Sequence, residues 1–146
     1  MLPVEHTIVP HAIHDQDIVS FPPAATVREV VDGMAKRRIG AVLIMEGEKL
    51  CGIFTERDAL MRVLAPARVP ETTPVSEVMT ANPDTVKASD SVVAALAQMQ
   101  KRGYRHLPVV DRERIVGVVS IRDLYRSVKE QMDEDIMLLA ETLLQG

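Results

Sequence analysis

Aromatic side chains are scarce in this chain, 3% of its 146 residues, and that scarcity removes the stacking surfaces on which single-stranded nucleic acids are held. A net charge of −4 argues the same way, because phosphate backbones are bound by a surplus of Lys and Arg. The single cysteine, Cys51, excludes an internal disulfide framework and leads to the expectation of a reducing compartment, the cytoplasm. No run approaches the roughly 18 apolar residues of a spanning helix, so no membrane partner is expected. The N-terminal residues, with Pro3, Glu5, His6 and Pro10, lack the basic-then-apolar order of a secretion signal. Also missing are a Gly-rich phosphate loop, a Ser-His-Asp order with motif support and a pair of isolated carboxylates. The chain is therefore read as a non-enzyme with no required cofactor.

What is abundant is aliphatic. Apolar residues make up 47% of the chain, mostly Val, Ile, Leu, Ala and Met, enough to pack helices against strands in one ordinary domain or two small units. The organisation lies in a repeat. Gly52-Ile53-Phe54-Thr55-Glu56-Arg57-Asp58 returns as Gly117-Val118-Val119-Ser120-Ile121-Arg122-Asp123, 65 positions later, and the same offset pairs Met34 with Met99 and Lys36 with Lys101. The duplicated unit is thus a subdomain rather than a short motif.

Residues 1–17 show no period and are read as an N-terminal arm that packs on the body. Repeat one, 18–72, opens with a predicted strand over Ile18–Phe21. Thr26-Val27-Arg28-Glu29 then forms a capping box for a helix whose apolar positions Val27, Val30, Val31 and Met34 share one face. A hairpin follows, Ala41–Met45 and Leu50–Phe54 around Glu46-Gly47-Glu48, and a helix starts at Thr55 and stops before Pro66. Repeat two, 73–130, follows the same β-α-β-β-α plan, with strands at Asp84–Val86, Leu107–Val110 and Ile115–Val119 and helices over Val92–Lys101 and from Ser120. The segment Pro74–Met79 between them predicts a short helix. The last helix is expected to continue through the extension 131–146, because Ile121, Leu124, Tyr125, Val128, Met132, Ile136, Leu139 and Leu143 recur at helical steps. A tail this apolar marks an interface.

Four features, the two G-x-x-[ST]-x-R-D ends, Val78-Met79-Thr80-Ala81-Asn82-Pro83, Arg105-His106-Leu107-Pro108-Val109-Val110-Asp111 and Ile39-Gly40-Ala41-Val42-Leu43, together resemble the tandem CBS (cystathionine β-synthase) domain pair over about residues 18–130. The resemblance implies an α/β (α+β) fold in which two repeats associate through their sheets about a pseudo-two-fold axis and leave two clefts. It also implies a regulatory module that binds adenosine-containing ligands (AMP, ADP, ATP, NAD or S-adenosylmethionine) and forms homodimers, passing its signal to a protein partner. The alternative is a ligand-independent dimerisation scaffold.

An adenosine ligand presents two adjacent ribose hydroxyls, and a carboxylate accepts from both. Asp58 and Asp123 suit that task. Thr55 and Ser120 sit at the helix caps, where a hydroxyl and the helix N-terminus favour an anion, with Arg57 and Arg122 as adjacent cations. The same [ST]-x-x-D spacing is also a plain helix cap, and one copy alone favours that reading; two copies, each after an apolar strand and a Gly, favour a ligand. Arg105 and His106, just before the Pro108 strand, stand where the family presents basic groups to phosphate. Repeat one has Gly40 and Ala41 there instead, so the two clefts are expected to differ, with the more highly phosphorylated or tighter-bound ligand at Asp123. Ser20 and Thr85 are candidates for lining base or ribose, and equally for strand-end hydroxyls. His11-x-x-His14 has ligand spacing for a metal, but without a second pair it is read as surface, and Cys51 as a small buried hydrophobe.

Overall fold

The computed structural model describes residues 4–145; Met1–Pro3 and Gly146, at the outer ends of the arm and the extension, lie outside the described residues. Two units of one plan emerge. In the first, β1 (Ser20–Phe21) leads through α1 (Val27–Arg37) to the hairpin β2 (Ala41–Glu46) and β3 (Lys49–Thr55). The chain then enters α2 (Glu56–Asp58), which runs without a break into wider π-type turns over Ala59–Leu64. In the second, β5 (Val86–Lys87), α3 (Val92–Arg102), β6 (His106–Asp111) and β7 (Arg114–Ser120) lead into α4 (Ile121–Gln145). Both hairpins carry a bulge at the same place, Ile44/Met45 and Val109/Val110.

The helices start and stop for local reasons. Thr26 Oγ1 accepts from the Glu29 amide at 3.2 Å and Ser91 Oγ from the Ala94 amide at 3.3 Å, each satisfying a donor that the first turn leaves unpaired. The C-termini close in the left-handed region, at Arg38 (φ 55) and at Gly103 (φ 74), where only the glycine is free of a Cβ penalty. Val27, Val30 and Met34 on α1, and Val92, Ala95 and Met99 on α3, are buried against the sheets.

One predicted strand shifts. β5 begins at Val86 rather than Asp84, and its counterpart β1 is trimmed to Ser20–Phe21. In repeat one the Leu43 amide donates to Val19 O at 3.1 Å. Pro108 occupies the matching position in repeat two and has no N–H to give, so Thr85 falls outside the strand.

The segments outside the repeats trade places. The expected helix over Pro74–Met79 shrinks to a 3₁₀ turn, Val75–Glu77, and β4 (Thr80–Ala81) adds to the first sheet, giving the order β1-β2-β3-β4. The chain between the repeats therefore completes repeat one. The N-terminal arm does the same for repeat two. Val27 N donates to Thr73 O and Val75 N to Ala25 O, while Val92 N donates to His6 O and Ile8 N to Asp90 O. Ile8, in a π-type turn over Ile8–Ala12, is fully buried in the repeat-two core with Val92, Leu107 and Leu124, as Val75 is in the core of repeat one. Where β4 pairs with β3 in repeat one, the side-chain amide of Gln16 bonds both Val118 N (2.6 Å) and Val118 O (3.1 Å) in repeat two. The first of the repeated glycines is required here, by a backbone carbonyl, and the second sits under a side chain. A Cβ on Gly52 would meet Met79 Sδ at 2.5 Å and Thr80 O at 2.8 Å, and one on Gly117 would meet Gln16 Oε1 at 2.6 Å.

The units meet through a small third core of Ala41, Leu43 and Ile53 with Met45, Leu50, Ile115 and Val118. Leu50 and Ile115 are equivalent positions, as are Ile53 and Val118, which is what an internal two-fold relation demands of a shared interface.

Candidate ligand-binding site

In repeat two the β6/β7 hairpin brings Arg105, His106, Ser120 and Asp123 to one end of the sheet. His106 is register partner to Ser120, and the first amide of α4, Ile121 N, donates to Arg105 O at 2.8 Å. Ser120 and Asp123 form a reciprocal cap: Ser120 N donates to Asp123 Oδ2 at 3.0 Å and Asp123 N to Ser120 Oγ at 3.1 Å. The other carboxylate oxygen, Oδ1, has only Arg126 Nη1 at 3.7 Å, and the Asp123 side chain is 27% exposed. One oxygen is therefore spent on the helix, and the other makes no hydrogen bond among the described residues. His106 is half-buried, and burial pulls its pKa below the usual 6.5; the Glu56 and Asp123 carboxylates pull it up and Arg105 pushes it down. Glu56 belongs to repeat one, so this corner senses charge from both units.

Repeat one builds the same frame and closes it. Ala41 is register partner to Thr55, and Glu56 N donates to Gly40 O at 3.0 Å. Asp58 Oδ2 accepts from Thr55 N (3.0 Å) and Thr55 Oγ1 (3.2 Å), while Oδ1 takes Thr80 Oγ1 at 3.4 Å and lies 3.6 Å from Arg62 Nε. Its side chain is 10% exposed. All of Asp58 is thus engaged within the protein, and the cap accounts for it without a ligand. The Glu56 carboxylate packs over Gly40, where a Cβ would collide with it.

The remaining candidates are dispersed. Arg57 and Arg122 are exposed, and the cations on the two aspartates are Arg62 and Arg126 instead. Those arginines also grip the exchanged segments, Arg62 Nη1 donating to Met79 O at 2.7 Å and Arg126 Nη2 to Ala12 O at 2.6 Å. Sequence reading missed both; an Arg three or four residues beyond each Asp on the same helix was the signal. Ser20 and Thr85 are exposed near the strand starts, and Pro108 is buried two residues inside β6, opposite Val118. His14 is exposed, and His11 stacks on His6 at 4.1 Å and accepts from Thr7 N. No group of three or more His, Cys, Asp or Glu suited to a metal occurs among the described residues. Cys51 is half-buried rather than buried.

A family model for the CBS domain matches the chain twice, over residues 11–65 and 75–130. The chain belongs to the CBS domain family. The first CBS match begins inside the arm, at His11. A curated relative, CBS domain-containing protein CBSCBSPB1 of Arabidopsis thaliana, is 38% identical over 104 residues, 70% of this chain but 19% of the relative. The chain thus spans about a fifth of that protein's length. Among solved structures, a CBS-domain protein of Burkholderia ambifaria assigned to signal transduction superposes with a TM-score of 0.75 at 36% identity, covering 79% of this chain and 85% of its own. A CBS domain protein of Pyrobaculum aerophilum, solved in complex with AMP, gives 0.68 at 33% identity over 74% of this chain and 83% of its own. No helix among the described residues is long and apolar enough to cross a membrane.

Proposed function

We propose that this CBS pair is a non-catalytic, cytoplasmic regulatory module that holds an adenosine-containing ligand at the end of the β6/β7 hairpin. The observation that carries the reading is the division of labour on Asp123. One oxygen caps α4 while the other, partly exposed, is free to accept from a ribose hydroxyl. The Ser120 hydroxyl offers a donor to an anion at the positive end of α4, and Arg105 and His106 stand beside it as phosphate partners. The AMP complex of the Pyrobaculum relative supports a nucleotide of this kind. The Asp58 cleft, with its carboxylate already satisfied and Glu56 over Gly40, is the weaker of the two.

Because the Glu56 carboxylate of repeat one acts electrostatically on His106 in repeat two, an anion bound there alters charge balance across the joint between the units. Binding favours one relative setting of the repeats, and a homodimer or protein partner reads the shift. The fully engaged Asp58 favours a second reading, a ligand-independent scaffold that binds nothing. A thermal-shift panel of AMP, ADP, ATP, NAD and S-adenosylmethionine separates the two. Ligand at about a hundred times its Kd stabilises by about 2.7 kcal/mol, a rise of roughly 5–10 °C for a chain of this size; a flat response across the panel supports the scaffold.

A further inference from the structure

In each unit an arginine one turn past the capping aspartate holds a backbone carbonyl of the segment that leads into the other unit. Arg62 Nη1 donates to Met79 O at 2.7 Å, and the chain runs on from Met79 through β4 to β5; Arg126 Nη2 donates to Ala12 O at 2.6 Å, and the chain runs on from Ala12 to β1. The two carbonyls are equivalent. Each lies three residues before a residue in the left-handed region, Asp15 (φ 47) after Ala12 and Asn82 (φ 48) after Met79. Duplication alone does not account for the match, because under the 65-residue offset Arg62 aligns with Ser127 and Arg126 with Met61. The wider π-type turns over Ala59–Leu64 shift the register of the first helix, and each unit still supplies an arginine to the same place.

Arg126 has the further consequence, because its aspartate is the one left open. Its guanidinium meets Ala12 O at 2.6 Å, Asp123 Oδ1 at 3.7 Å and Glu130 Oε1 at 3.8 Å, and only the first is at hydrogen-bond length. The same peptide unit is tied on its other side, where Ile13 N donates to Ile8 O at 2.9 Å. Beyond it, residues 14–17 are exposed and without regular structure, fastened by the Gln16 side chain on Val118. Residues 12–17 are thus pinned at one end by Arg126. With its side chain 53% exposed, Arg126 is screened by solvent, and Asp123 and Glu130 pull on it weakly. A ribose seated on Asp123 Oδ1 excludes water from that pair, and the attraction rises as the effective dielectric falls. The guanidinium is then held where Nη2 meets Ala12 O.

We propose that Arg126 is a positioning residue that couples Asp123 to the N-terminal arm: a ligand held at Asp123 tightens the docking of residues 12–17, and the docked arm raises affinity for the ligand. The coupling rests on the reading of Asp123 as the ribose-binding carboxylate. Its output is the strip of chain that enters repeat one, so occupancy of the repeat-two cleft is passed to the other unit through the arm. The exchange of affinity between arm and ligand is equal in both directions.

Amide hydrogen exchange of the full chain, read residue by residue by NMR, tests the proposal at Ile13, with Val27, whose amide donates to Thr73 O in repeat one, as the control. In the wild type, saturating AMP should slow exchange at Ile13 about fivefold or more beyond any slowing at Val27. In Arg126→Gln that extra slowing should vanish, and calorimetry should show AMP bound about fivefold or more weakly. Without nucleotide, Arg126→Gln should speed Ile13 exchange about tenfold. Asp123→Asn removes the charge but keeps an oxygen for the cap; it should speed Ile13 exchange in the wild-type background and leave it unchanged in Arg126→Gln. AMP binding with no extra slowing at Ile13, equal slowing in Arg126→Gln, or additive effects of the two substitutions overturns the coupling, the last without any nucleotide. Absence of AMP binding in calorimetry overturns the ribose reading of Asp123 instead, while the paired substitutions still decide the coupling.

Discussion

Replacing Ile8 by Ala tests whether the N-terminal arm is part of repeat two. Ile8 lies before the first family match yet is fully buried among Val92, Leu107 and Leu124. Truncation to Ala removes three buried carbons, worth about 0.8 kcal/mol each, or roughly 2.4 kcal/mol of transfer free energy. The unfilled volume adds to this, giving about 2–5 kcal/mol in all. For a chain of this length each kcal/mol moves Tm by roughly 2–4 °C, so a drop of about 4–20 °C is expected. The hydrogen bond from Ile8 N to Asp90 O survives the substitution, which isolates the packing loss. Urea unfolding followed by circular dichroism measures it, with Val4→Ala, 67% exposed, as a control expected within about 0.5 kcal/mol of wild type. An Ile8→Ala loss no larger than that control would refute the exchange of segments between the repeats.

Gly52→Ala forces a Cβ against Met79 Sδ and the Thr80 carbonyl; since a carbonyl in a sheet cannot step aside, about 1–3 kcal/mol of stability should be lost, read from the same unfolding curves. His106 supplies a pH test with a definite sign. Its folded pKa lies below 6.5 because burial disfavours the charged ring, so its contribution to stability is complete above pH 6.5 and declines as pH falls through that value towards the folded pKa. A phosphate beside the ring reverses the preference, so AMP binding should take up a proton and tighten as pH falls, and His106→Gln should abolish both effects. Calorimetry in buffers of different ionisation enthalpy detects the proton; none taken up would place the phosphate elsewhere.

The 65-residue offset made most of the fold legible. α1 and α3, both hairpins and the long α4 lie where periodicity and caps predicted them, because each is specified by residues within its own span. The trade of the arm and the linking segment was not legible. Ile8 and Val75 are single apolar residues in segments without a period, and their burial is decided by contacts with strands far along the chain. Nor could the shortened β5 be read from Thr85 itself, since its cause is the missing N–H of Pro108 on the neighbouring strand. At the candidate site the motif located both aspartates and their capping partners. Their difference came from outside the motif: Thr80 and Arg62 enclose Asp58, whereas Asp123 has only Arg126. Glu56 was within the motif, but its proximity to His106 arises from the packing of one repeat on the other.

Titration calorimetry of AMP into the wild-type chain, Asp123→Ala and Asp58→Ala tests the unequal-cleft account most directly. A hydrogen bond to a charged group contributes about 1.5–3 kcal/mol. Asp123→Ala should therefore weaken binding about ten- to a hundredfold, while Asp58→Ala lowers thermal stability and leaves that affinity near the wild-type value. Unchanged affinity in Asp123→Ala, or a loss confined to Asp58→Ala, would contradict it.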